Sequence, residues 1–253
     1  LGTFRIKVRD PSAFTQFLTE NSNELEIQKN VRLKIPAIPE QRILELEEPF
    51  AGTSMDWLGS QKDRKNSGAG IKVAVLDTGI DSRHESLVGV NFREISLVED
   101  KEQFGRGHGT GIASIIAGQM EGFLGLAPSS EILSVRVLGQ DGEGDAFTIA
   151  KGIMMAVDQG ADIINLSLGG TSSSVAIDHA IGYASANEVL LVSAVGNEGV
   201  NQVAYPARHN HVIAVSSIDA KSRVSAFANF GPEVDLAAPG VGVLTAWDDQ
   251  TFV

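Results

Sequence analysis

The sequence predicts an α/β protein of three layers: a mostly parallel sheet with helices on both faces, preceded by a small α+β unit at the N-terminus. Three observations lead there. Short, nearly continuous apolar runs recur at 71–76, 132–138, 161–167, 189–194 and 212–215, as in strands covered on both faces. Segments of helical period, 147–159 and 175–187, alternate with those runs, which is the strand–helix–strand order of a parallel sheet. The chain's 253 residues, 43% of them hydrophobic, suffice for one large domain and an appendage.

Taken in order, residues 1–48 form the appendage. Phe4-Arg5-Ile6-Lys7-Val8 alternates apolar and basic residues, the period of a half-buried strand. Asp10-Pro11-Ser12 offers a helix start, and Ala13, Phe14, Phe17 and Leu18 follow at helical spacing. Val31-Arg32-Leu33-Lys34-Ile35 alternates again, and Arg42-Ile43-Leu44-Glu45-Leu46-Glu47-Glu48 reads as an edge strand. So small a unit needs the larger domain to lean on. Residues 49–70 read as a linker, punctuated by Gly52, Gly59, Gly68 and Gly70, with Lys62-Asp63-Arg64-Lys65-Asn66 as a solvated turn. From 71 to 253 the strands and helices alternate. The helix at 147–159 turns Ile149, Ile153, Met154, Ala156 and Val157 inward.

Composition narrows the function. A net charge of −12 argues against nucleic acid and anionic membranes as partners. The absence of cysteine removes disulfides and thiol nucleophiles. No apolar run approaches the roughly 18 residues of a membrane span, and the chain opens at Leu1 without a signal-like pattern.

In α/β folds the ligand crevice lies outside the carboxyl ends of the strands. Asp77-Thr78-Gly79, Ser167-Leu168-Gly169-Gly170 and Val195-Gly196-Asn197-Glu198-Gly199 all follow apolar runs there. Asp77 comes so close to the core that its carboxylate needs a partner; an imidazole would serve, and so would capping of the next turn by Asp77 itself. His108 sits between Gly107 and Gly109 at the head of a small-and-apolar helix, with Thr110 as a candidate N-cap. Alone it reads as a capping histidine; beside Asp77 it is placed for proton transfer. Asn197 reads either as a turn asparagine or as an oxyanion donor.

Together Val75-Leu76-Asp77-Thr78-Gly79-Ile80, His108-Gly109-Thr110, Asn165-Leu166-Ser167-Leu168-Gly169-Gly170, Gly196-Asn197-Glu198-Gly199, Tyr205-Pro206-Ala207 and Ala238-Pro239-Gly240 resemble the ordered motifs of the subtilisin-like serine proteases, over residues 69–247. The resemblance implies a serine endopeptidase working through an acyl-enzyme. Asp77 would orient His108, His108 would be general base and then general acid, and Asn197 would hold the oxyanion. Ser167, Leu168 and Gly169 would pair with the substrate backbone. Ala194, Val195 and Gly196 would line the pocket before the cut bond, with room for a large apolar group, and Leu138-Gly139-Gln140-Asp141-Gly142, Leu138 and Gly139 foremost, would flank the opposite wall. Residues 1–48 would be the tail of a propeptide, packed on the protease domain and blocking its groove, with maturation near Glu48. The resemblance and the lack of cysteine favour a secreted or extracellular location.

The chain also departs from the pattern. The family's nucleophile, in Gly-Thr-Ser-Met-Ala, follows Ala-Pro-Gly; here Ala238-Pro239-Gly240 leads to Val253 without it. Gly52-Thr53-Ser54-Met55 spells nearly the same motif before Asp77, followed by Asp56-Trp57-Leu58-Gly59, which is wrong for the serine helix. The serine is therefore expected beyond residue 253, on a further segment or a separate chain, and an apolar face is expected beside Asp77 and His108 where that segment packs. The alternative is a catalytically inactive subtilase fold used as a binding or regulatory module. A nucleotide-binding α/β protein is set aside for want of a phosphate-binding glycine loop after the first strand. Gly111 replaces a second histidine common in relatives. No cofactor is required for the chemistry. Calcium remains open: Gly118-Gln119-Met120-Glu121-Gly122 is short for the family's calcium loop, and Asp141-Gly142-Glu143-Gly144-Asp145 reads as a solvated acidic turn.

Overall fold

The computed structural model describes residues 5, 7–8, 10–20, 28–37, 47–59, 64–99 and 105–253. In chain order the elements are α1 (Pro11–Glu20), β1 (Arg32–Lys34), α2 (Ser54–Trp57), β2 (Lys72–Asp77), β3 (Asn91–Ser96), α3 (Gly107–Ala117), β4 (Gln119–Met120), β5 (Phe123–Leu124), β6 (Glu131–Arg136), β7 (Glu143–Asp145), α4 (Ala146–Asp158), β8 (Ile163–Leu166), α5 (Val175–Ala186), β9 (Leu190–Ala194), β10 (Ile213–Ile218) and β11 (Leu236–Pro239). A seven-stranded sheet runs β11-β10-β9-β8-β2-β6-β3, and each of its pairings is parallel. The carboxyl ends of β2, β6, β8 and β9 therefore share one rim.

The apolar runs account for the layers. Leu76, Leu133, Val135, Ile164, Leu166 and Leu191 face one way, and Ile149, Ile153 and Ala156 of α4 with Ile177, Ala180 and Ile181 of α5 close over them. On the other face Val73, Val75 and Ile132 are covered by Ala113 and Ala117 of α3. That cover stops at β2. Val192 and Ala194 of β9 and Ile213 and Val215 of β10 are only half-buried. Leu190 and Leu236, in register with this row, are 54% and 58% exposed. No helix among the described residues packs there as α3 packs on the first half.

The N-terminal unit is described in part. Its helix forms at Pro11–Glu20, started by Asp10, whose carboxylate accepts from Ser12 N at 2.9 Å. The alternation at 31–35 becomes β1. Of the strand expected at 4–8, residues 5, 7 and 8 are described and none of them is in a strand, while 42–46 of the edge strand expected at 42–48 fall outside the described residues.

Residues 49–70, a linker or the start of the larger domain by sequence, include Phe50, which is 1% exposed and whose N–H donates to Val241 O at 2.9 Å. Several sequence expectations are corrected here. Lys62 and Asp63 of the expected solvated turn are outside the described residues, while Arg64 donates to the carbonyls of Gly125 and Leu124. The acidic stretch 141–145 is not a solvated turn: its second half is β7, antiparallel to β1, and Asp145 caps α4 by accepting from Thr148 N at 3.1 Å. β3 and β11, the two edge strands, carry too much polar or exposed surface to show as apolar runs.

Candidate active site

Asp77 ends β2 with no solvent exposure. A buried carboxylate is tolerated only when its lone pairs are filled, and these are. Thr78 donates to Oδ1 through its backbone N at 2.7 Å and its hydroxyl at 3.1 Å. His108 Nδ1 stands 2.9 Å from both Oδ1 and Oδ2. The imidazole thus donates from Nδ1, which leaves Nε2 as the nitrogen able to take a proton. Nε2 has no hydrogen-bond partner among the described residues.

The elements that bring this pair together are the loop after β2 and the first turn of α3. Gly109 N donates to Thr78 Oγ1 at 3.4 Å, Arg106 Nη1 donates to Ile80 O at 3.1 Å, and Asp81 N donates to Thr110 Oγ1 at 2.9 Å. Thr110 is therefore not the N-cap expected from the sequence. Arg106 holds that position without a side-chain cap, and the Thr110 hydroxyl donates back to Arg106 O at 2.8 Å. Arg106 is anchored in turn by Glu94 of β3, at 3.0 and 3.1 Å from its two oxygens. Glycine at 109 is what allows the approach: a Cβ there would stand 2.2 Å from Gly79 O. Gly111, likewise, faces Thr245 Oγ1, which a Cβ would meet at 2.7 Å. A helix start this rich in glycine costs about 1 kcal/mol per glycine; the close contact it permits sets the Asp77–His108 distance. Gly109→Ala is expected to push α3 off the loop and lower kcat about 10²-fold with KM nearly unchanged, read by steady-state kinetics of the serine-bearing enzyme.

Electrostatics set the histidine. Burial pushes the His108 imidazole down, but the Asp77 charge and hydrogen bond outweigh it and leave it above the ordinary value of 6.5. A raised folded-state value means the protonated ring is favoured by folding. The stabilisation it brings is full below 6.5 and is lost as pH rises through the folded value. A general base at His108 would have to be neutral, so kcat/KM is expected to rise with pH through a midpoint above 6.5, checked by a pH–rate profile.

Across β8, the loop after β9 carries Asn197, whose Nδ2 donates to Ala37 O at 3.1 Å. Asn229, 2% exposed, clamps this loop: its Oδ1 accepts from Glu198 N at 3.0 Å and Val200 N at 3.2 Å, and its Nδ2 donates to Glu198 Oε2 at 2.7 Å. Gly196 has φ +100, and a Cβ there would meet Asn229 Nδ2 at 2.4 Å. Between the two rims runs the N-terminal segment. Lys34 N donates to Gly169 O at 3.0 Å and Gly169 N to Lys34 O at 2.8 Å, and Ile35 N donates to Gly142 O at 3.0 Å.

The other expected residues divide. Gly169 and Gly196 line a cavity of about 450 Å³ beside Pro36. Leu168 and Leu138 are fully buried, and Ser167 Oγ accepts from Asn165 Nδ2 at 2.9 Å. Ala194 is half-buried at the end of β9. Gly139 borders a second cavity, of about 440 Å³, and Gly142, at the end of the same stretch, with β7 lies across residues 34–35 from Gly169. Ser54 heads α2, 6% exposed, with no hydrogen bond to His108. Sequence reading missed Arg106, Glu94 and Asn229; a charged or amide residue gives no local sign of a tie to another strand. Among the described residues no group of three or more His, Cys, Asp or Glu side chains is arranged to hold a metal ion.

Comparison with known proteins places this geometry. The family model described as the Subtilase family matches residues 68–251. The chain is 40% identical over 192 residues to Subtilisin BL of Lederbergia lenta, covering 75% of this chain and 71% of that protein. It is 39% identical over 190 residues to Thermitase of Thermoactinomyces vulgaris, covering 73% and 68%. Among solved structures, a mutant of the protease domain of PatA superposes with a TM-score of 0.69 at 29% identity, covering 76% of this chain and 74% of that one. The Prenylagaramide maturation protease PagA gives 0.68 at 28%, covering 79% and 73%. With a carboxylate-held imidazole at the sheet rim and matches across most of its length, the chain belongs to the subtilase family of serine peptidases.

Proposed function

We propose that this chain is the larger part of a subtilisin-like serine endopeptidase in a self-blocked pro-form, and that a segment beyond Val253, in the same chain or a separate one, supplies the serine. The observation that carries the reading is Asp77 bridging His108 Nδ1 at the rim that also holds Asn197. In the reaction, the serine Oγ attacks the substrate carbonyl as His108 Nε2 takes its proton, and Asp77 stabilises the imidazolium without accepting that proton. Asn197 Nδ2 donates to the oxygen that becomes negative, a contribution of about 10²–10³-fold in kcat for donors of this kind. His108 then hands its proton to the leaving amine, and water, activated by the same nitrogen, releases the acyl group.

Two further features support it. The half-covered face of β8–β10 lies on the same side of the sheet as α3, and an apolar helix bearing the serine would cover it; bare apolar sheet is otherwise costly to a soluble domain. Residues 28–37 behave as a pro-segment. They add a strand to the groove, set Ala37 O against Asn197, and tie down helix starts, with Asn30 Oδ1 accepting from Phe147 N at 3.0 Å and Gln28 Oε1 from Val175 N at 2.6 Å. The substrate is then a peptide or protein chain, with no nucleic acid involved and no cofactor in the chemistry. A secreted location fits the family; no helix among the described residues is long and apolar enough to cross a membrane.

Full-length protein, allowed to mature, should hydrolyse an unfolded protein substrate and lose its own N-terminal segment. A folded protein that binds such peptides tightly and leaves them intact contradicts the proposal and favours an inactive binding module.

A further inference from the structure

We propose that the groove selects cationic peptides, taking an apolar side chain where Leu33 lies and basic residues on either side of it. The inference rests on the reading above, in which residues 32–37 occupy the groove as a substrate would. β1 supplies Arg32-Leu33-Lys34 and β7 supplies Glu143-Gly144-Asp145, with Arg32 opposite Asp145, Leu33 opposite Gly144 and Lys34 opposite Glu143. Residues directly opposite in an antiparallel pair share a face. Each basic residue therefore shares a face with a carboxylate, while Leu33 drops to the other side and is 1% exposed.

The carboxylates continue beyond the ladder. Arg32 borders one cavity with Asp141, Glu143 and Asp145, and Lys34 borders the other with Glu143 and Glu198. A third cation of the N-terminal unit has already taken up part of this rim: Arg5 Nη1 lies 3.2 Å from Asp145 Oδ2. The apolar anchor supplies hold without discrimination, since any branched side chain of that size fills it. Charge at the flanking positions discriminates, and a protein of net charge −12 draws cationic chains toward itself from a distance.

The test uses full-length, self-matured enzyme whose active sites are counted with a fluorophosphonate. Two peptides compete against cleavage of a neutral reporter: Arg-Leu-Lys-Ile-Pro-Ala and its charge-reversed form Glu-Leu-Glu-Ile-Pro-Ala. At low salt the reversed peptide is expected to show a Ki about three- to tenfold higher, a gap that closes near 1 M salt where charges are screened beyond about 3 Å. Glu143→Lys, at a side chain with no hydrogen bond among the described residues, should narrow or invert the gap. Equal Ki values on labelled enzyme at low salt overturn the inference while leaving the protease reading intact. A folded protein that takes no label overturns that reading, and the inference with it.

Discussion

Asp77→Asn in the serine-bearing enzyme is expected to lower kcat by about 10⁴-fold, with KM little changed. The amide keeps the size of the carboxylate, so β2 and its neighbours keep their packing. What is lost is the acceptor pair that Nδ1 of His108 meets at 2.9 Å on each oxygen. An asparagine presents one acceptor and one donor, and the donor facing Nδ1 favours the tautomer with the proton on Nε2. A ring protonated there cannot accept from serine. The charge that holds the His108 imidazole above 6.5 disappears as well, while burial, which pushes it down, persists. NMR titration should therefore place His108 below 6.5 in the variant and above it in the parent. A variant with the parent's titration and parent-like kcat would show that the contact is structural.

Leu33→Ala is expected to free the groove. Leu33 is 1% exposed and belongs to the main core cluster with Leu138, Leu168 and Tyr205, and it is the one fully buried side chain described in a segment otherwise held by the half-buried Val31 and Ile35, the amides of Gln28 and Asn30 and backbone hydrogen bonds. Truncating such a side chain costs about 2–5 kcal/mol. Most of that loss falls on the hold of residues 28–37, because the sheet beneath keeps its own partners. The open form should grow by about 30-fold or more. Amide hydrogen exchange reads it directly: Lys34 N and Ile35 N, donors to Gly169 and Gly142, should exchange faster by that factor, while amides of β2 and β8 keep the parent's rates. Uniform acceleration across the domain would mean that the segment and the sheet open as one unit.

The sheet and the site were legible where chemistry and periodicity coincide. β2, β6, β8, β9 and β10 are apolar because both their faces are meant to be covered, and the polar residues that follow them stand out for that reason. Asp77 and Asn197 stand at such positions, whereas His108, at the head of a helix, joins them only through the resemblance of the ordered motifs. Glu143-Gly144-Asp145 has little intrinsic strand preference and reads locally as a turn; its pairing with β1, far away in the sequence, makes it a strand, a case of tertiary context overriding propensity. Thr110 is not the cap for a related reason. A threonine near a helix start is a good N-cap by local rules, but here its hydroxyl is spent on Asp81 N and Arg106 O. Glu94, Arg106 and Asn229 work across strands, and no pattern local to any of them announces it.

The account turns on whether an alcohol is activated at His108. The most direct measurement is labelling of the matured full-length protein with a fluorophosphonate, followed by mapping of the modified residue, in the parent and in His108→Ala. The account predicts one label per molecule, on a serine beyond Val253, and none in the variant. A folded parent that takes no label, or a label on Ser54 that survives loss of His108, would contradict it.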